Sequence, residues 1–337
     1  MRGKIADVKS RLCNKSVYSL LAPSGFNPTP ERLLSRAEKY QADDRVNVYA
    51  YSENGEYKGI VVFEIKDQTA KTLEIAVNPE YQGKGIGSRL INYIFSQFAV
   101  NKVTAETDDD TIGFYKKYGF AVADINNKYD TKRYVCVCES VTHHYDLLID
   151  ENNDPVHDPK PLQDYMNKWD GPVFIEQLQL NSSKSVLEIG VGTGRLAVRA
   201  APLCGKFYGV DISSKTIERA KENLSEYKNV KLICNDFLAC KFDRKFDVIY
   251  SSLTFMHIKD KQKAINKVAA LLKNDGKFVL SIDKNQDGFI DTGTRKITVF
   301  PDKTEEMKTH IENSGLLLTE QYETEFAHIF VAKKKCK

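Results

Sequence analysis

Two short glycine-rich turns constrain the fold of this chain more than any other feature. The first reads QGKGIG over residues 82–87, and the second reads GVGTG over residues 190–194. Each turn stands between a strand-like apolar run and a helix-like run. Glycine lacks a Cβ, so backbone amides can approach an anion closely, and the N-terminus of the following helix adds unpaired N–H groups. The sequence therefore predicts two anionic cofactors, or one binding turn and one ordinary turn.

Length and a change of pattern predict two domains. A chain of 337 residues is long for one hydrophobic core. Residues 1–139 read as a mostly antiparallel sheet with few helices, in which Asn54-Gly55 forms a hairpin turn. Residues 140–337 begin with an irregular stretch at 150–161 and then alternate strands with helices, which is typical of a doubly wound parallel sheet. We expect an α/β protein: an α+β mixed sheet, then a Rossmann-like sheet with a terminal antiparallel strand pair.

The spacing of apolar residues predicts the individual helices. In the first half helices are expected over residues 5–21, 30–42, 88–98 and 110–118, and in the second half over 162–180, 214–227, 259–272 and 303–313.

Composition narrows the partners and the location. Lys and Arg number 49 against 46 Asp and Glu, so neither half predicts a nucleic-acid partner. No apolar run approaches a membrane span, and the N-terminus lacks the apolar core of a signal peptide. The seven cysteines are scattered without a disulfide framework. We therefore expect a cytoplasmic protein with reduced thiols and small-molecule substrates, and no membrane partner.

The first turn is neither a Walker loop nor a dinucleotide fingerprint, because Lys84 is followed by Gly85 and no βαβ unit surrounds it. The stretch LEIAVNPEYQGKGIGSRLINYIF, with FYKKYGF downstream, resembles the GNAT superfamily of acyl-CoA-dependent N-acetyltransferases over about residues 5–139. The resemblance implies that acetyl-CoA is bound, its diphosphate by the loop and its pantetheine arm by the preceding strand. The implied contacts are Ile75, Val77, Gln82, Gly83, Lys84, Gly85, Ile86 and Gly87.

Two residues are candidates for the chemistry of this half. Tyr115 matches the tyrosine of the family's second motif, which implies a general acid that reprotonates the departing CoA thiolate. The alternative is a tyrosine that packs in the core. Glu74 lies on the strand before the loop, where similar enzymes often place a base for the amine, and its alternative is a solvated strand carboxylate.

The second turn resembles a different family. Glu188 precedes the glycine loop, and the next strand ends in Asp211, where an acid can accept both ribose hydroxyls of an adenosine ligand. Together VLEIGVGTGRLA and FYGVDIS resemble class I S-adenosylmethionine-dependent methyltransferases over about residues 141–337. The resemblance implies S-adenosylmethionine as cofactor. The implied contacts are Glu188, Gly190, Gly192, Gly194, Asp211, Ile212, Asp236 and Phe237.

His257 follows the strand FDVIYSS, beside the position of the transferred methyl group in similar enzymes. An imidazole there could deprotonate the acceptor, since histidine titrates near neutrality. The alternative is a structural histidine at a helix start. Methyl transfer depends mainly on orientation, so no base is obligatory.

A calcium-like stretch lies at residues 283–291, DKNQDGFID. An EF-hand needs a bidentate Glu at loop position twelve, and that position is Thr294. We expect a turn between two strands and no metal.

These features predict a bifunctional transferase that acetylates and methylates a small molecule. The alternative is a methyltransferase whose GNAT-like half is a non-catalytic acyl-CoA-sensing or partner-binding module. The sequence leaves the amine or hydroxyl acceptors open.

Overall fold

The computed structural model describes residues 3–25, 27–125, 132–291 and 296–335. The chain forms two compact units, with the boundary between Ser140 and Val141. Within the described residues each unit has a seven-stranded sheet, and the second has a further two-stranded one.

The N-terminal unit is a mixed sheet, as the sequence predicted. Its strands are β1 (Lys4–Asp7), β2 (Val46–Glu53), β3 (Glu56–Lys66), β4 (Thr69–Val77), β5 (Lys102–Asp108), β6 (Ala121–Ile125) and β7 (Arg133–Glu139). Their order is β1-β2-β3-β4-β5-β7-β6, and neighbours run antiparallel except for the parallel pair β4–β5. Asn54 and Gly55 both have positive φ in the turn that joins β2 to β3, as the hairpin signal required.

Helices cover both faces of this sheet. They are α1 (Lys15–Tyr18), α2 (Pro30–Ala42), α3 (Ile86–Gln97) and α4 (Ile112–Tyr118). Because side chains alternate along a strand, Val61 and Val62 of β3 face opposite cores. Val61 packs with the apolar residues of α3 and α4, and Val62 packs with those of α1 and α2.

The predicted helix over residues 5–21 is wrong. The segment begins with β1, which pairs antiparallel with β2, and continues through 3-10 turns at Lys9–Arg11 and Ser19–Ser24. Only the four residues of α1 are α-helical. The apolar residues Val8, Leu12 and Leu21 are buried, so their spacing reflected burial. Strand pairing decided the local conformation, a case of tertiary context overriding helical pattern.

The C-terminal unit is a doubly wound sheet with an antiparallel edge, again as predicted. Its strands are β8 (Ser185–Ile189), β9 (Lys206–Asp211), β10 (Val230–Cys234), β11 (Phe246–Ser251), β12 (Leu272–Asp283), β13 (Phe289–Asp291), β14 (Lys296–Thr298), β15 (Leu316–Glu323) and β16 (Ala327–Lys334). The main order is β10-β9-β8-β11-β12-β16-β15. The first five strands run parallel, and β16 is antiparallel to β12 and β15.

The helices of this unit are α5 (Val141–Asp150), α6 (Lys160–Asp170), α7 (Phe174–Gln177), α8 (Ala197–Ala200), α9 (Ser214–Asn223), α10 (Lys261–Leu271) and α11 (Thr304–Asn313). The expected single helix over 162–180 is two helices, because Gly171 adopts a φ of 76° and ends α6. The sequence reading missed α5, which contains no glycine or proline signal at its start.

Candidate active sites

Strands β4 and β5 of the N-terminal unit separate part-way along their length. Their parallel pairing joins Thr69–Thr72 to Lys102–Ala105 and goes no further within these two fully described strands. The remaining part of β4, which contains Ile75 and Val77, therefore has no ladder partner on the β5 side. Unpaired backbone amides at such an opening can bond an extended ligand that itself carries amides.

The loop after β4 presents backbone amides at the start of α3. Gly85 is the N-cap of that helix, with a φ of 76°, and a Cβ there would meet no heavy atom within 4 Å. Gln82 Nε2 donates to the Val77 carbonyl at 3.2 Å, which ties the loop to β4. Lys84 Nζ donates to the Glu80 carbonyl at 3.1 Å. The empty space above Gly85 fits an anion cradled by backbone N–H groups.

The last two predicted loop contacts are buried. Ile86, the first residue of α3, packs in the apolar core of this unit and is 4% exposed. A Cβ on Gly87 would come within 2.7 Å of the Phe114 ring, so this glycine permits α3 to pack closely on α4. Their backbone N–H groups lie in the first turn of α3, so these two predicted contacts would be made through the backbone.

Tyr115 is buried on α4, with its ring between those of Phe114 and Phe120 at centroid distances of 5.1 Å. Burial raises the pKa of the Tyr115 hydroxyl, and Cys136 and Asp108 raise it further. The hydroxyl is therefore protonated at neutral pH, which is the state a proton donor needs.

Glu74 does not present a free carboxylate. Its Oε1 accepts from the Tyr40 hydroxyl at 2.7 Å and its Oε2 from the Ser24 hydroxyl at 2.7 Å, while Arg36 Nη1 lies 3.1 Å from both oxygens. The residue is 8% exposed. An acid whose two oxygens already have four hydrogen-bond contacts has little capacity left for an amine. The prediction that Glu74 acts as a base is corrected: it anchors the N-terminal segment to β4.

In the C-terminal unit, the carboxyl ends of β8, β9, β10 and β11 meet at one edge of the sheet, where open α/β folds bind ligands. Gly190, Gly192 and Gly194 follow β8, and Asp211 ends β9. Asp211 Oδ2 accepts from the Gly192 backbone N–H at 3.0 Å, and Oδ1 accepts from the Ser213 N–H at 3.1 Å. The Ile212 backbone N–H also bonds this carboxylate, and the lone-pair capacity that remains could accept from a ribose diol.

Gly192 shows why a glycine stands at the centre of this loop. Its φ is 55°, and a Cβ there would meet no heavy atom within 4 Å. Positive φ disfavours other residues, and the open space above the backbone is what a bound ligand would fill.

The remaining predicted contacts divide into exposed and buried ones. Ile212 is 37% exposed beside Asp211, and Asp236 is exposed after β10. Phe237 is 5% exposed and packs in the apolar core, with Lys267 Nζ 5.1 Å from its ring centroid. Because the Phe237 ring lies in the core, the contact predicted for this residue would be made through its backbone.

Glu188 is buried at the end of β8. It is 3% exposed, and its Oε2 accepts from the Tyr250 hydroxyl at 2.8 Å. Burial raises the pKa of Glu188 to about 8, and the nearby carboxylates Asp170 and Asp211 add to the rise, while Tyr250 and Arg195 oppose it. Burial therefore favours the neutral form of Glu188.

His257 lies in a 3-10 turn after β11, and its side chain is half-buried. Its Nε2 lies 2.7 Å from the Tyr145 hydroxyl, and its Nδ1 is buried. Burial lowers the His257 pKa to about 4, helped by His144 and Lys261. A base needs contact with its acceptor and a pKa near the working pH. His257 thus joins α5 to the turn, which favours the structural alternative given above, and its catalytic role stays a prediction.

Three aspartates that the sequence analysis did not single out tie the N-terminal segment of this unit to residues beyond β8. Asp146 Oδ1 accepts from the Ser213 hydroxyl at 2.7 Å. Asp154 pairs with Arg219 at 3.2 Å, and Asp170 pairs with Arg195 at 2.5 Å. Asp154 lies in the stretch expected to be irregular, where an aspartate is normally exposed to solvent. No local sequence pattern indicates that it is buried.

The calcium-like stretch forms a turn. The Asn285 N–H donates to Asp283 Oδ1, and the Asp287 N–H donates to Asn285 Oδ1. Thr294, which the metal argument used, lies outside the described residues. Among the residues the structure describes, no group of three or more His, Cys, Asp or Glu side chains is placed to hold a metal ion. In that same part of the chain no helix has the length and apolar character needed to cross a bilayer.

Comparison with known families matches each unit to a different one. Residues 44–122 match the acetyltransferase (GNAT) domain, and residues 180–328 match a methyltransferase domain. The chain joins a GNAT acetyltransferase domain to a methyltransferase domain. The resemblances stated from the two glycine turns are thereby confirmed.

Individual relatives match through part of their length. An uncharacterized methyltransferase of Anoxybacillus flavithermus is 33% identical over 123 residues, 35% of this chain and 57% of the relative. The malonyl-[acyl-carrier protein] O-methyltransferase of Priestia megaterium is 37% identical over 106 residues, 30% of this chain and 37% of the relative. The chain thus spans about half the length of these curated relatives or less. The N-methyltransferase NodS of Bradyrhizobium japonicum is 19% identical, with a TM-score of 0.44, over 56% of this chain and 97% of NodS.

Proposed function

We propose that the protein is a bifunctional transferase: the GNAT domain acetylates an amine of a small molecule with acetyl-CoA, and the methyltransferase domain methylates a small-molecule amine or hydroxyl with S-adenosylmethionine. When bound, the first cofactor supplies an acetyl group and the second a methyl group. The observation that supports the methylation half is the Asp211–Gly192 hydrogen bond at 3.0 Å, which joins the end of β9 to the glycine loop.

Asp211 suits a ribose because of the capacity it retains. Burial raises its pKa, and the backbone N–H groups of Ser213 and Gly192 oppose that rise. These N–H groups, with that of Ile212, orient both oxygens, and the remaining lone-pair capacity would accept from a diol. Exposed Ile212 lies next to this carboxylate and offers an apolar surface for the adenine ring.

The acetylation half rests on the separation of β4 from β5 and on the loop that follows β4. The open edge of β4 would bond the amides of pantetheine, and the amides around Gly85 would bond the diphosphate. Tyr115 would protonate the CoA thiolate. Neither domain is assigned a base, because Glu74 and His257 are both engaged by other groups.

The test is calorimetric titration of the full chain with S-adenosylmethionine and, separately, with CoA. Asp211→Ala should weaken binding of the first ligand by about 1.5–3 kcal/mol, the scale of lost hydrogen bonds to a charged group. Gly85→Trp should abolish CoA binding because it fills the cradle. Each variant should keep the other ligand, so each is the control for the other.

The results of these titrations distinguish a bifunctional enzyme from a methyltransferase with a non-catalytic GNAT domain. If wild-type protein binds neither ligand, the proposal fails. If CoA binds but a screen of amines with acetyl-CoA gives no turnover, the GNAT domain is a sensing or partner-binding module, and only methylation stands.

A further inference from the structure

Helix α5 of the methyltransferase domain crosses the edge of the sheet at which the glycine loop lies. The Tyr145 hydroxyl lies 2.7 Å from Nε2 of His257, which belongs to the turn after β11. Asp146 Oδ1 accepts from the Ser213 hydroxyl, just after β9, at 2.7 Å. In the sheet β8 stands between β9 and β11. Because the glycine loop follows β8, a helix that contacts the residues after both neighbouring strands passes over that loop.

The directions of these two contacts agree with a helix that lies above the loop. Neighbouring strands are about 4.8 Å apart, so β9 and β11 are separated by about 10 Å. Tyr145 and Asp146 are consecutive, and consecutive side chains of an α-helix point about 100° apart. One side chain therefore reaches toward the β11 side and the other toward the β9 side. Gly192 and Asp211, the proposed contacts of S-adenosylmethionine, lie within this span.

Polar contacts, rather than apolar packing, hold α5 in place. The structure describes all ten of its residues, of which only His144 is buried, and none belongs to the two apolar clusters of this unit. Helix α10, by contrast, contributes four buried residues to the core. A further contact of α5 is the ion pair of Asp150 with Lys215, whose side chains are both about half exposed. Exposed ion pairs add little stability, and elements with few buried apolar contacts open most easily.

The chain has a suitable hinge directly after α5. Asn152 has a φ of 60°, in the left-handed region that interrupts a helix. Two residues later the Asp154 side chain is buried, and its Oδ2 lies 3.2 Å from Nη1 of Arg219 in α9. Helix α5 can therefore turn about Asn152 while the chain that follows stays attached to α9.

We propose that α5 is a lid over the cofactor site, which opens to admit S-adenosylmethionine and closes over it, with Tyr145 as the latch on the β11 side. The proposal rests on the proposed binding of S-adenosylmethionine. In the closed position α5 covers the ligand and shields it from water. Opening requires that the contacts of Tyr145, Asp146 and Asp150 break. Tyr145 is thus a positioning residue that acts through the helix.

Hydrogen exchange of the full chain, followed by mass spectrometry, tests whether α5 opens. In the free protein the amides of α5 should exchange about tenfold or more faster than those of α10, because α5 lacks core contacts. Saturating S-adenosylmethionine should slow the exchange of α5 by about tenfold or more, because the ligand favours the closed lid. Equal exchange of the two helices in the free protein, or no protection of α5 by the ligand, would overturn the proposal.

Tyr145→Phe removes the latch and keeps the ring. Because the ligand enters and leaves through the open lid, stopped-flow measurements should show that its association and dissociation rates both rise, by about three- to tenfold, the range expected for the loss of one hydrogen bond. A residue that only supports the fold would leave the association rate unchanged. Asp146→Ala, which removes the contact to Ser213, should act in the same direction and decides the question if Tyr145→Phe does not fold.

The matched control is Asp164→Asn, which removes an exposed ion pair with Lys160 within α6. This variant should exchange and bind as the wild-type protein does. Unchanged association rates in both Tyr145→Phe and Asp146→Ala would overturn the lid and leave the cofactor assignment intact. If the wild-type protein does not bind S-adenosylmethionine, the proposed function fails, and the lid fails with it.

Discussion

The hydroxyl of Tyr145 lies 2.7 Å from Nε2 of His257 and joins the first helix of the methyltransferase domain to the turn after β11. The two residues are far apart in the sequence, and their contact occupies Nε2 of His257. His257 therefore helps to hold α5 against the turn after β11. Its protonation should change the free energy of unfolding.

This pair predicts an acid-sensitive fold. Burial holds the pKa of His257 at about 4, whereas an unfolded histidine has a pKa of about 6.5. Below 6.5 the unfolded chain takes up a proton that the folded chain does not, so the free energy of unfolding should fall by up to about 3 kcal/mol between pH 6.5 and pH 4. Urea unfolding, followed by the fluorescence of the single tryptophan, Trp169, measures this in the methyltransferase domain.

His257→Gln is the informative variant, because glutamine can keep a hydrogen bond to Tyr145 and does not titrate. It should lose the His257 part of the acid sensitivity, and methyl transfer by the folded protein should stay within a few-fold of wild type. A hundredfold loss of rate with unchanged stability would restore the catalytic role.

A second prediction concerns Glu74 in the acetyltransferase domain. Glu74→Gln leaves Arg36 without its charged partner and weakens the contacts to Tyr40 and Ser24. Thermal unfolding should show a loss of about 1–3 kcal/mol, the cost of disturbing a buried charged hydrogen-bond group. Single-turnover acetylation, corrected for the folded fraction, should change less than threefold.

Tyr40→Phe is the matched control, since it removes one of the same hydrogen bonds and keeps the charge. It should cost about 1 kcal/mol. A large loss of acetylation rate in Glu74→Gln, with Tyr40→Phe unaffected, would show that Glu74 takes part in the chemistry.

Local signals in the sequence were sufficient for much of the fold. Asn54-Gly55 fixed the β2–β3 turn, because few residue pairs tolerate positive φ at both positions. The alternation of strands and helices after residue 180 gave the parallel sheet, and the last two strand-like runs gave its antiparallel edge. Both glycine turns were placed correctly between a strand and a helix, except that α8 is only four residues long.

What the sequence did not reveal has one physical cause, namely contacts between residues that are far apart in the sequence. Glu74 was placed on the correct strand, but its partner Arg36 comes from α2. Asp170 drew no prediction, and it is buried beside Arg195 and Ser252, which are distant in the sequence. Residues 4–7 form a strand only because β2 lies beside them. The periodicity of a segment does not indicate which distant side chain will neutralise a charge. It also does not indicate which distant strand will pair with the segment.

The Asp170–Arg195 ion pair yields a third prediction. Arg195→Met leaves a fully buried carboxylate without its cation, which should cost about 3–5 kcal/mol. Adding Asp170→Asn to that variant should recover much of the loss, because an amide carries no charge. A double-mutant cycle by urea unfolding should give a coupling above about 1 kcal/mol. Additive effects of the two substitutions would show that the pair is not a stability element.

The last prediction concerns Tyr115, whose hydroxyl stays protonated because burial raises its pKa. Tyr115→Phe removes only that hydroxyl and keeps the ring between Phe114 and Phe120. CoA should therefore bind nearly as tightly as before, and the melting temperature should hardly change. Acetyl transfer should slow by roughly 10²–10⁴-fold if protonation of the leaving thiolate limits the rate.

The neighbouring Tyr118 gives the control, because its hydroxyl already donates to Asn92 Oδ1 at 2.5 Å. Tyr118→Phe should leave the rate of acetyl transfer unchanged within a few-fold. The measurement is single-turnover acetylation of an amine acceptor found by screening, beside CoA titrations of both variants. Replacing acetyl-CoA by an acetyl thioester with a leaving thiol of lower pKa should rescue Tyr115→Phe, because a more stable thiolate needs no proton donor. Full activity of Tyr115→Phe with acetyl-CoA would exclude the proton-donor role and leave Tyr115 as a residue of the core.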